Sequence, residues 1–64
     1  MKKIGNIIKK ERIKNKLTQK EMAKILTVSQ SYISRVEKGK EEPSQMFIRL
    51  FCVIYSISEN DLRC

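Results

Sequence analysis

The stretch Thr18 to Gly39, TQKEMAKILTVSQSYISRVEKG, contains two helix starts, a break between them and a stop. Thr18-Gln19-Lys20-Glu21 is a capping box. In that motif the Thr18 hydroxyl accepts from the Glu21 backbone N–H while the Glu21 carboxylate accepts from the Thr18 N–H, so two otherwise open donors are satisfied. Met22, Ala23 and Leu26 then recur at helical spacing. The pattern breaks around Thr27-Val28, and Ser29 offers a second N-cap just before Gln30. Gly39 is a natural C-terminal stop. The segment therefore predicts two short helices around a tight turn.

Turn angles on the second of these helices separate two faces. With Gln30 set to zero, Ser34, Lys38, Ser31 and Arg35 fall at roughly 40°, 80°, 100° and 140° and form one polar arc. Val36 and Ile33 fall at roughly 240° and 300° and point into the rest of the domain. A helix of this width fits the major groove of DNA, where Gln pairs with adenine N6/N7, Arg with guanine O6/N7 and Ser with several partners. A solvated amphipathic helix would also turn polar residues outward. The arc carries no carboxylate, however, and a phosphate-facing surface must avoid one.

In these features the chain resembles the phage-repressor-like family of helix-turn-helix proteins, the Cro/cI or xenobiotic-response-element type. The resemblance spans nearly the whole sequence: Ile4 and Ile8 before Arg12, LTQKEMA from Leu17, VSQSYIS from Val28, Glu37-Lys38-Gly39, Pro43-Ser44, and Ile57-Ser58 with Leu62. It implies an all-α chain, a compact five-helix lambda-repressor-like DNA-binding domain over residues 1–64. The helices are expected at roughly 3–15, 18–26, 29–37, 44–55 and 58–63. Helices two and three, residues 18–37, form the helix-turn-helix, and the third is the recognition helix.

The resemblance also implies roles for single residues. Gln30, Ser31, Ser34 and Arg35 are expected to face base edges, and Gln19 to touch a phosphate while bracing Gln30. Lys38 and Lys40 match positions that hold the DNA backbone, with Thr18 and Tyr32 as hydroxyl donors to phosphates. Phosphate contacts set the register and base contacts supply the specificity. Two residues depart from the family pattern: Thr27 stands where Gly is usual in the turn, and Lys16 where Gly often ends the first helix. A left-handed conformation at either costs roughly 1–2 kcal/mol, so a turn shifted by one residue, with Asn15 replacing Lys16, is the expected way to avoid it.

Arg12 lies on the apolar stripe of the first helix, four residues after Ile8, so its stem runs along the core. A guanidinium there needs a partner. Glu37 falls near roughly 340° on the recognition-helix wheel, at the edge of the packing face, and members of the resembled family often have such an Arg and Glu pair. Arg12 and Glu37 are thus expected to form a structural ion pair that positions the recognition helix without touching DNA.

The fourth helix is unusually apolar. In MFIRLFCVIY, Met46 to Tyr55, only Arg49 interrupts. The family alignment turns Ile48, Phe51, Cys52 and Tyr55 inward, which leaves Met46, Phe47, Leu50, Val53 and Ile54 on a second apolar face. A helix apolar all round is buried all round, and in so short a chain a second copy is the simplest cover. That face is expected to be a homodimer interface, the alternative being cover by the first or last helix.

Charge is distributed unevenly. Residues 1–40 hold twelve Lys or Arg and three acids, net +9, while residues 41–64 hold two and four, net −2, giving the chain its +7. A basic side that coincides with the two-helix unit suits nucleic acid. Basic amphipathic helices also bind anionic lipid, but the first helix has no aromatic anchor and its Ile stripe is needed for the core.

Composition narrows the function further. The chain has no His, the usual general base and nitrogen metal ligand, and no Gly-rich phosphate cradle. Cys52 and Cys64 are too few for a zinc knuckle; Cys52 reads as a small core residue and Cys64 as a terminal thiol. No cofactor, metal, small-molecule ligand or membrane partner is expected, and the absence of a signal core after Met1-Lys2-Lys3 points to the cytoplasm. At 64 residues there is room for one domain. The expectation is a non-enzymatic, sequence-specific regulator of transcription, read as a repressor, that binds double-stranded DNA as a homodimer on a pseudo-palindromic operator. The alternative is a protein-interaction module of the same fold, an antitoxin or small adaptor, that uses the apolar face of helix four.

Overall fold

The computed structural model describes residues 3–57, which form α1 (Lys3–Lys14), α2 (Gln19–Leu26), α3 (Gln30–Glu37) and α4 (Gln45–Tyr55). The all-helical expectation stands for these residues, which hold four of the five expected helices. The fifth was placed at 58–63, outside the described residues.

Each helix from α2 onward starts on a hydroxyl cap. Thr18 Oγ1 accepts from the Glu21 N–H at 3.0 Å and the Glu21 carboxylate accepts from the Thr18 N–H at 2.9 Å, so the capping box is complete. Ser29 Oγ accepts from the Tyr32 N–H at 3.1 Å, and Ser44 Oγ from the Phe47 N–H at 3.1 Å. These three caps fix where the elements begin. Between α2 and α3 they leave only Thr27, Val28 and Ser29, so the turn is short and its angle constrained.

The helix ends share one device, a left-handed residue after the last turn: Lys16 (φ 58°), Thr27 (φ 59°), Gly39 (φ 76°) and Ser56 (φ 56°). The expected shift from Lys16 to Asn15 does not occur. At the end of α2 the Thr27 and Val28 N–H groups donate to the carbonyls of Lys24 and Ala23 at 3.3 and 2.9 Å. At the end of α1 the Lys16 and Leu17 N–H groups donate to those of Ile13 and Arg12 at 2.9 and 3.0 Å. Each pair satisfies carbonyls that the helix end leaves open. Two such bonds, each worth about 0.5–1.5 kcal/mol net, offset a strain of about 1–2 kcal/mol, so the register holds without glycine.

Ile8 of α1, Met22 and Leu26 of α2, Ile33 and Val36 of α3 and Phe51 of α4 are fully buried, with Ala23, Phe47 and Cys52 beside them. All four helices thus feed one core. Gly5 brings α1 against the C-terminal end of α3 at close quarters, since a Cβ there would lie 2.3 Å from the Val36 carbonyl oxygen.

Helix α4 corrects one expected residue. Phe47 is 4% exposed and belongs to the core, not to the outer face. It sits four residues before Phe51, on which it stacks at 6.4 Å, and its ring meets the Tyr32 ring edge-on at 5.4 Å. Neighbours at i and i+4 share a helix face, and Tyr32 of α3 extends the packing face far enough round to enclose Phe47. Ile48 and Tyr55 flank the core as half-buried residues. Met46 (78% exposed), Val53 (77%), Ile54 (40%) and Leu50 (37%) remain outside and form an apolar stripe.

Candidate nucleic-acid interface

The exposed face of α3 follows from how its other face is held. Ile33 and Val36 are fully buried, which turns Gln30, Ser31 and Arg35 to solvent and leaves Ser34 half-buried between them. All four expected base-facing residues therefore lie on one continuous arc. The Ser29 cap fixes the start of that arc and the Gly39 stop fixes its end.

The helix is anchored by a network around Glu37. Arg12 Nε donates to Glu37 Oε2 at 2.7 Å and Nη2 donates to Oε1 at 3.1 Å, the bidentate fork of a planar guanidinium. Nη1 of the same Arg donates to the Leu17 carbonyl at 3.0 Å. The Glu37 side chain is 4% exposed and that of Arg12 14%, so the pair is largely removed from water. Three elements meet here: α1 supplies Arg12, α3 supplies Glu37, and α2 supplies Gln19, whose Nε2 donates to Glu37 Oε1 at 3.0 Å.

That last bond gives Gln19 a protein partner other than the one expected. Among the described residues it does not brace Gln30. A carboxylate is the stronger acceptor, since bonds to an ionised group are roughly twice as strong as neutral ones, and Glu37 lies within reach of the first turn of α2. Gln19 thus ties the start of α2 to the end of α3 and holds the two-helix angle from inside.

Tyr32 also has a partner beyond the one expected. Its hydroxyl oxygen accepts from the Ser44 N–H at 3.0 Å and joins α3 to the start of α4. The phenolic proton is left to donate outward. The Thr18 hydroxyl is similarly placed, accepting from Glu21 with its own proton still available. Lys38 and Lys40 are exposed beside the C-terminal end of α3.

Glu41 is the residue that helical periodicity missed. Arg35 Nε donates to Glu41 Oε1 at 2.7 Å, and Arg35 Nη1 lies 3.5 Å from Ser31 Oγ. The arc read along α3 alone held no carboxylate; the loop after Gly39 brings one to its edge. The two residues stand six apart across a glycine turn, a separation that a helical wheel does not pair.

Two further features lie away from this face. A groove of about 470 Å³ opens between Thr27-Val28 and the α4 residues Met46, Leu50 and Val53. The Tyr55 hydroxyl is buried without a hydrogen-bond partner among the described residues. Burial pushes its phenol above the usual range, and the negative charge of Glu11 adds to the effect. No helix among the described residues is long and apolar enough to cross a membrane.

Comparison with known proteins agrees with this geometry. The family model described as Helix-turn-helix matches residues 8–62. The ImmF control region 10 kDa protein of Bacillus phage phi105 is 36% identical over 62 residues, which cover 97% of this chain and 69% of that relative.

Proposed function

The chain belongs to the XRE-type, phage-repressor-like helix-turn-helix family, and from that premise we propose that this DNA-binding regulator is a repressor whose α3 reads an operator in the major groove. The observation that carries the reading is the solvent-facing arc of Gln30, Ser31 and Arg35 on a helix fixed from behind by the Arg12, Glu37 and Gln19 network. Gln30, Ser31, Ser34 and Arg35 contact base edges. Lys38 and Lys40 hold phosphates, with Thr18, Tyr32 and the exposed side of Gln19 beside them. The phage relative is named for a control region, which supports a regulatory role.

The operator is a pseudo-palindrome read by a homodimer. One recognition helix covers only a few base pairs, whereas two related by a two-fold axis read half-sites about 34–36 Å apart. Met46, Leu50, Val53 and Ile54 supply the interface, and the groove beside them can receive apolar side chains of the second copy. A stripe that itself walls the groove offers both surfaces to the self-complementary contact of a two-fold dimer. The same stripe is what favours the second reading, an adaptor or antitoxin that docks another protein on α4.

Gel shifts on the gene's own upstream DNA and on a scrambled duplex separate the two readings. A regulator retains the upstream duplex at protein concentrations that leave the scrambled one free. Arg35→Ala then costs about 1–3 kcal/mol and relaxes preference at one base. Equal, weak and steeply salt-dependent binding to both duplexes would remove the sequence-specific reading.

A further inference from the structure

We propose that Glu41 is a positioning residue for base recognition: it holds Arg35 in a fixed orientation toward a guanine and away from phosphates. The proposal rests on the reading of α3 as the DNA-contacting helix.

The placement of Glu41 follows from the backbone. Gly39 takes the left-handed conformation, its N–H donates to the Val36 carbonyl at 3.1 Å, and the Lys40 N–H donates to the Arg35 carbonyl at 2.9 Å. The chain therefore folds back on the last turn of α3, and the next residue, Glu41, lies alongside Arg35. The 2.7 Å bond between them is the result.

Stability does not account for the pair. The Arg35 side chain is 48% exposed and that of Glu41 36%, and exposed ion pairs contribute little to folding. Electrostatics makes the carboxylate costly, because a negative charge at the edge of a phosphate-facing surface weakens binding to every DNA.

What it does accomplish is geometric. A guanidinium has five N–H donors in a rigid fork. Glu41 takes Nε, so the end bearing Nη1 and Nη2 is left to meet O6 and N7 of guanine as a bidentate pair. Ser31 Oγ, 3.5 Å from Nη1, flanks that end. The rotamer is ordered before DNA arrives, which reduces the entropy lost on binding. The carboxylate also competes with phosphates for the same cation, so the contact available in non-specific complexes is weakened more than the base contact. Overall affinity falls while the ratio of specific to non-specific affinity rises.

The test compares the wild-type chain with Glu41→Ala, Glu42→Ala and Arg35→Ala by selection from a randomised duplex pool, and by titration of a random-sequence duplex at several salt concentrations. Glu42 is exposed and makes no bond to Arg35 among the described residues, so its variant removes the same charge from the same loop without freeing the guanidinium. The expected result is that Glu41→Ala weakens the guanine preference by up to about fivefold at the position that Arg35→Ala also relaxes, while Glu42→Ala keeps it. On the random duplex, Glu41→Ala steepens the salt dependence by about 0.9 in log–log slope, one added phosphate contact. In the free protein, the Arg35 Nε–Hε resonance is protected from exchange in the wild type and loses that protection in Glu41→Ala.

Unchanged guanine preference in Glu41→Ala, or equal loss in Glu42→Ala, overturns the positioning role while DNA reading by α3 stands. An Arg35 Nε–Hε resonance equally unprotected in both proteins overturns it without reference to DNA. If the wild type enriches no sequence, the reading of α3 falls and takes this proposal with it.

Discussion

Glu37→Ala should cost about 3 kcal/mol or more, a large fraction of the stability of a chain this short. The carboxylate receives three hydrogen bonds, two from Arg12 and one from Gln19, at 2.7, 3.1 and 3.0 Å. Its removal leaves a guanidinium that is only 14% exposed without a counter-charge. Breaking a buried pair from one side typically costs about 3–5 kcal/mol, and the residual exposure of Arg12 places this case at the lower end. At about 0.05–0.15 kcal/mol per residue, a chain of 64 residues has a total stability of about 3–10 kcal/mol, so the loss is about a third of it or more.

The informative variant is the double replacement Arg12→Met with Glu37→Leu. Substituting both partners with apolar side chains removes the desolvation penalty together with the attraction, and such replacements are often neutral or stabilising. Urea unfolding followed by circular dichroism should therefore find each single variant much weaker than wild type and the double variant recovering most of the loss. Single variants that each lose less than about 1 kcal/mol would place the pair among screened surface interactions and refute its role as the anchor of α3.

Gly5→Ala should destabilise by about 1–3 kcal/mol in the same assay despite the better helix propensity of Ala, because the new Cβ would meet the backbone oxygen of Val36 at 2.3 Å; an unchanged midpoint would contradict the close approach of α1 and α3. Thr27→Gly relieves left-handed strain of about 1–2 kcal/mol at an entropic cost of about 0.5–1 kcal/mol and loses the bond that Thr27 Oγ1 donates to the Leu26 carbonyl at 2.6 Å, worth about 0.5 kcal/mol or more, so the net effect is neutral to stabilising by up to about 1 kcal/mol, readable in thermal melts. Val53→Lys, at a position 77% exposed, should leave monomer stability within about 0.5 kcal/mol and abolish self-association in sedimentation velocity at micromolar concentration; a wild type that sediments only as monomer would remove the dimer. For Tyr55, a raised folded pKa means that the native state binds its proton more tightly than the unfolded chain. The associated stability is fully present below about pH 10, the unfolded value, and is lost as pH rises through the folded one. Tyr55→Phe should flatten that alkaline loss and be neutral or stabilising near pH 7, since it removes a buried hydroxyl with no partner among the described residues.

The sequence was most informative where a few neighbouring residues decide the outcome. The Thr18 and Glu21 capping box and the Ser29 cap depend on spacings of three, and the burial of Ile33 and Val36 depends on one helical wheel; each appears in the structure. Arg12 was legible because a cation on an apolar stripe has few ways to be satisfied. The misses involve competition between distant groups. The resemblance pairs Gln19 with Gln30, and only the fold shows that Glu37 takes its amide. Phe47 lay at a wheel boundary that Tyr32, on another helix, settled. Glu41 reaches Arg35 because Gly39 reverses the chain, and the angle of that reversal is a backbone property that side-chain patterns do not encode.

The claim that the outer face of α3 reads DNA is tested most directly by recording amide and side-chain chemical shifts of the labelled protein as a duplex enriched by selection is added. The account predicts the largest changes at Gln30, Ser31, Ser34 and Arg35, with smaller ones at Thr18, Lys38 and Lys40, and unchanged amides at Met46 and Val53. Changes confined to α4 with α3 silent would contradict it.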